Sequence, residues 1–276
     1  MPPLSARLYG VYHRLILTRP RSTLAVLLAL LAFFSYHAKD FGLDASADSL
    51  MLEDDKDLQL YRQLDARYPT LSLLIVTFTP PGELFADDSL SHLGRLRDEL
   101  RSLEDVDSVL SILDAPLVKS SDVPLQEMAD KVQTLESPTV DRERALEELT
   151  RSPVYQDLII SRDRQTTAVL VNLKSNEKYS ALQRERNELL IKKGSGQLDA
   201  EGRRQLAAIS APYEKARDAQ GDRYHQIIGQ VRSIIDPYRQ YATVHLGGMP
   251  MIADDMITFV RSDLIVFGSS VFVFLV

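Results

Sequence analysis

Toward each of its ends the chain has a largely apolar stretch without a formal charge, and the sequence between the two alternates. Ser22 to Ala38 contains no formally charged residue, and its centre reads Leu24, Val26, Leu27, Leu28, Leu30, Leu31, Phe33, Phe34. On an insertion scale eight such residues contribute about −4 kcal/mol, whereas one central charge costs about +3. A helix over 22–38 reaches about 25 Å, at the short end for a hydrocarbon core. The pattern therefore predicts a transmembrane helix at 22–38 behind a cytoplasmic tail at 1–21. A cleaved signal peptide and a buried helix of a water-soluble core compete with it. The exit Ser35-Tyr36-His37-Ala38-Lys39 lacks a clear small-x-small cleavage site. The second stretch, 264–276, is also uncharged and predicts the first part of another transmembrane helix, cut off in mid-span. Its alternative is a buried strand.

Between them, residues 39–263 read as one extracytoplasmic domain. Asp54 and Asp55 look like helix N-caps, with Leu58, Tyr61, Leu64 and Tyr68 on one face and Pro69 as the stop. Leu71–Thr79 is almost wholly apolar and predicts a strand buried on both faces. Leu90, Leu93, Leu96 and Leu100 predict a helix over 88–104, and Val106–Leu113 a second strand. Helices follow near 124–135 and 141–151, punctuated by Pro124, Pro138 and Pro153. Asp157–Ser161 and Thr166–Leu173 predict a hairpin, 213–238 a helix and Tyr241–Leu246 a last strand. With the inserts set aside, the order is a ferredoxin-like split βαβ, an α+β fold with both helices on one face of a four-stranded sheet.

The insert at 176–212 carries coiled-coil spacing. Tyr179, Leu182, Arg186 and Leu189 step by three, four and three, and Leu206, Ile209, Tyr213 and Ala216 repeat the rhythm. Gly194-Ser195-Gly196 is the natural turn between two antiparallel arms. Pro212 is expected to break or kink the second arm, since a mid-helix proline costs about 3 kcal/mol. Such a hairpin either packs on its own domain or docks a partner.

Charge sharpens the division. Arg7, Arg14, Arg19 and Arg21 precede residue 39 with no acid, so a chain of net charge −7 leaves −11 on the rest. By the positive-inside bias, the basic end lies in the cytoplasm and the acidic body outside. An acidic body argues against nucleic acid as a partner, because phosphate binding needs clustered Lys and Arg. The chain has no cysteine, which removes disulfides and thiolate metal sites. No GxGxxG, Walker A, GxSxG or HExxH pattern occurs. Asp254-Asp255 and Glu53-Asp54-Asp55 invite a metal reading, but neighbours on a helix point about 100° apart, and solvated helix starts explain both runs. The expectation is no catalytic residue, no cofactor and no metal.

Several segments carry a resemblance. They are the basic N-terminus with its apolar helix, then Phe41-Gly42-Leu43-Asp44-Ala45-Ser46-Ala47-Asp48-Ser49-Leu50-Met51-Leu52-Glu53. Further on come Ser152-Pro153-Val154-Tyr155-Gln156-Asp157-Leu158-Ile159-Ile160-Ser161-Arg162-Asp163 with Thr166–Leu173, and finally His245-Leu246-Gly247-Gly248-Met249-Pro250. In this order the chain resembles the RND superfamily of exporters, in its MMPL/Patched-like branch. The resemblance implies an N-terminal portion of a bacterial inner-membrane exporter of lipids or other hydrophobic compounds, with 39–263 as the first periplasmic porter loop. Its partners would be the lipid bilayer, the remainder of the transporter, a hydrophobic or lipid substrate and a periplasmic partner at the hairpin. The relay carboxylates of such exporters lie in later helices, so none is assigned here. The alternative is a singly anchored periplasmic adaptor or scaffold that binds partners through the hairpin.

Overall fold

The computed structural model describes residues 20–37, 60, 64, 72–118, 133–138 and 140–275. The chain divides into two units, Met1–Asp44 and Ala45–Val276. In the first, helix α1 spans Pro20–His37, and its leucines and phenylalanines from Leu24 to Phe34 are exposed.

The second unit is an α+β domain. Its elements run β1 Leu73–Thr79, α2 Asp87–Arg101, β2 Val106–Leu110, α3 Arg142–Arg151, β3 Thr167–Leu173, α4 Glu177–Gly194, α5 Ala200–Ile235, β4 Thr243–Gly247 and α6 Met249–Leu275. A 3-10 turn, Asp236–Gln240, joins α5 to β4. The four strands form one antiparallel sheet in the order β2-β3-β1-β4. Each βαβ unit is split by a strand of the other: β3 lies between β1 and β2, and β1 between β3 and β4.

Alternation sets the core. Leu74, Val76 and Phe78 of β1 are fully buried, together with Val169 and Val171 of β3 and Val244 of β4. Against them pack Leu93, Leu96 and Leu100 of α2 and Ile227, Ile228, Val231 and Ile235 of α5, and the two helices also touch each other. Burying one such side chain is worth about 1.5–3 kcal/mol. The opposite face of β1, with Leu73, Ile75, Thr77 and Thr79, is only half-buried, so this strand is not enclosed on both sides as its composition predicts.

The membrane helices are the principal correction: among the described residues no helix is long and apolar enough to cross a membrane. In α1 the apolar centre from Leu24 to Phe34 is flanked by Arg21 and by Tyr36 and His37, and reaches only about 16 Å. In α6, Asp254, Asp255, Arg261 and Asp263 occupy the first half, leaving about 18 Å of uncharged helix from Leu264 onward. A hydrocarbon core is about 30 Å thick. The expected spans at 22–38 and 264–276 are thus overturned. With them fall the inner-membrane location, the cytoplasmic N-terminus and the periplasmic placement of the main domain.

Other expectations change in detail. Asp157–Ser161 is not a strand: it meets β3 through an isolated bridge from Ile160 to Thr167 and a bond from Ala168 N–H to Ile159 O of 2.9 Å. The helix expected near 124–135 falls mostly outside the described residues, and 133–138 forms turns. The helix expected from Asp54 to Tyr68 lies outside them except at Leu60 and Leu64, which are helical. Pro212 does not divide the second arm. It stands exposed inside α5, one continuous helix that runs from the hairpin turn to the core.

Tyr238 closes the domain behind α5. Its hydroxyl donates to Glu99 Oε1 at 2.9 Å from a buried position. Burial, reinforced by that bond, pushes its pKa from the ordinary 10.0 up to about 12. The folded chain therefore keeps this proton after the unfolded chain has lost it. Stability should fall as pH rises from the unfolded value through the folded one. Alkaline titration of the unfolding midpoint should show this fall, and Tyr238→Phe should remove most of it. An unchanged alkaline profile in the variant contradicts the assignment.

Candidate functional site

The hairpin α4–α5 is the most distinctive element of the domain. Asn176 caps α4 by accepting from Tyr179 N–H, Asp199 caps α5 by accepting from Gly202 N–H at 2.7 Å, and Gly196 turns the chain at φ +71°. Leu189 and Leu190 of α4 and Ile209, Tyr213 and Ala216 of α5 are buried along the hairpin. The seam is mixed. The Tyr179 and Tyr213 rings stack at 5.9 Å, and the Arg186 guanidinium lies 4.6 Å over the Tyr213 ring. Asn176 Nδ2 donates to Gln220 Oε1 at 2.9 Å.

Asn187 was not part of the expected seam, yet it is 6 % exposed and its Oδ1 has no hydrogen-bond partner. A buried unpaired acceptor costs about 1–3 kcal/mol. Asn187→Leu should therefore raise the thermal midpoint, by about 1 kcal/mol in stability. A lower midpoint in circular dichroism would count against this placement.

A second cluster sits on α2. Arg97 is 5 % exposed, at a position that continues the leucine stripe. Its Nε donates to Asp98 at 2.9 Å and Nη1 to Asp114 at 3.2 Å, and Nη2 pairs with Glu136 at 2.9 Å. Burial alone lowers the pKa of this guanidinium. The bonds to Glu136 and Asp98 and the charge of Asp114 outweigh that, so it is held above its ordinary value. Asp114 also accepts from Arg101 at 2.9 Å and from the Ser111 hydroxyl at 2.7 Å. The arrangement ties α2 to the loop after β2 and to the turn at 133–138. Each charged member is held by another.

The carboxylates Asp254 and Asp255 diverge from one another. Asp254 Oδ1 meets His225 Nδ1 at 2.9 Å, and both oxygens of Asp255 accept from Arg232 Nη2, at 2.8 and 2.9 Å. They bind α6 to α5 and make no ligand pair. Glu53, Asp54 and Asp55 lie outside the described residues. Among the described residues no group of three or more His, Cys, Asp or Glu side chains could hold a metal ion. Sequence reasoning missed His225 and Arg232, which face α6 only through tertiary packing. No protein-family model matches the chain, and no curated protein is significantly similar to it.

Proposed function

We propose that the α+β domain is a porter-type portion of an RND-like exporter of lipids or other hydrophobic compounds, working with the remainder of a larger transporter. The observation that carries this reading is the split βαβ sheet in the order β2-β3-β1-β4, the kind of αβ unit that the resemblance implies. Two of the resembling segments fall at structural junctions of that sheet. Ser152–Asp163 leads into β3, and His245–Pro250 joins β4 to α6. In this reading the chain performs no chemistry. It moves as a body while the driving force comes from elsewhere.

A second reading is a scaffold that binds partners through α4–α5. The hairpin favours it, because α4 packs chiefly on α5 and leaves the outer faces of both helices to solvent. Dye retention separates the two. In cells that carry this sequence, deleting the gene should raise retention of a hydrophobic dye such as Nile red, and re-expression should restore its loss. Equal retention with and without the gene sinks the exporter reading and leaves the scaffold.

A further inference from the structure

α6 leaves the sheet through a single backbone position. Gly248 has φ +117°, and a Cβ there would lie 2.4 Å from Leu73 O. Among the described residues α6 packs chiefly on α5, β1 and β4, with Met251 against the core. From Thr258 to Val271 every residue of α6 is exposed. Beyond the first turn two polar contacts tie it to α5, the hydrogen bond between His225 and Asp254 and the ion pair between Arg232 and Asp255. His225 and Arg232 are seven residues apart, two turns along one face of that helix. The same helix continues at its other end into the hairpin.

We infer that these two contacts form a latch that fixes α6 against α5 about a pivot at Gly248. While it is closed, hairpin and α6 move as one rigid body; when it opens, α6 swings free of the sheet domain. The Arg232–Asp255 ion pair is partly exposed, so it holds weakly and is screened by salt, and the latch is reversible under ordinary conditions. Its existence does not depend on the exporter reading. Its use does: in an exporter the closed latch passes hairpin movement on to whatever α6 joins.

The chain has no cysteine, so Lys192→Cys on α4 and Ser262→Cys on α6 give two clean spin-label positions in the full chain. Pulsed electron resonance at low salt should give one narrow distance population. Neutralising the latch with Asp254→Asn and Asp255→Asn should widen it roughly twofold, as should about 1 M sodium chloride on the unaltered latch. Exchanging the charges, Arg232→Asp with Asp255→Arg, should narrow it again. A distribution that stays narrow in the neutralised chain and at high salt, or an exchange that fails to narrow it, overturns the latch. If a latch variant loses its circular dichroism, the salt titration alone decides. Dye retention does not enter this readout, so the latch and the exporter reading fail separately.

Discussion

Gly248→Ala will destabilise the α+β domain by about 3 kcal/mol or more, measured by urea denaturation. Two penalties coincide. The backbone at φ +117° is one that an alanine rarely adopts, and the new Cβ would lie 2.4 Å from Leu73 O and 3.1 Å from Leu74 Cα. Those atoms belong to the backbone of β1, an inner strand bonded on one side to β3 and on the other to β4. The strand cannot retreat without disturbing both ladders. Gly229 is the control: it lies inside α5, and a Cβ there meets nothing within 4 Å. Gly229→Ala should stabilise by about 0.5–1 kcal/mol through helix propensity. Similar losses at both glycines contradict the strained junction.

Arg97→Ala should cost about 3 kcal/mol, near the lower end for breaking a buried ion pair, because Glu136 and Asp98 keep part of their hydration. The loss has two sources. The arginine stem leaves a gap on the buried side of α2 that also carries Leu93, Leu96 and Leu100, and Asp114 and Glu136 lose the cation that they share, Asp114 keeping only Arg101. Arg97→Met keeps most of the packing and removes only the charge. It should recover part of the loss. If Arg97→Ala proves neutral in urea denaturation, the network is decorative and α2 is held by its leucines alone.

Local pattern carried much of the sheet domain. The leucines at 90, 93, 96 and 100 mark α2, and the β-rich runs ending at Thr79 and Leu173 become the two inner strands. The strand order then follows from which helices connect them. Arg97 was readable in principle, since it interrupts a core stripe one turn after Leu93. Its partners Asp114 and Glu136 lie far along the chain, and no local spacing points to them. The same holds for His225 and Arg232 opposite Asp254 and Asp255.

The membrane expectation failed for a different reason. An uncharged run does not by itself make a span, because the helix that contains it decides. Residues 264–275 are the far half of a helix that begins at Met249 and carries four charges before Leu264. Pro212 shows the reverse, a residue rule that its context overrides. On the exposed side of a long helix clamped by Ile209, Tyr213 and Ala216, one missing backbone bond is tolerated.

Analysis of the lipids held and released by cells tests the proposed function most directly. Cells lacking the gene should accumulate at least one lipid class and release less of it, and re-expression should reverse both changes. Identical held and released lipids in the two strains would contradict the exporter account.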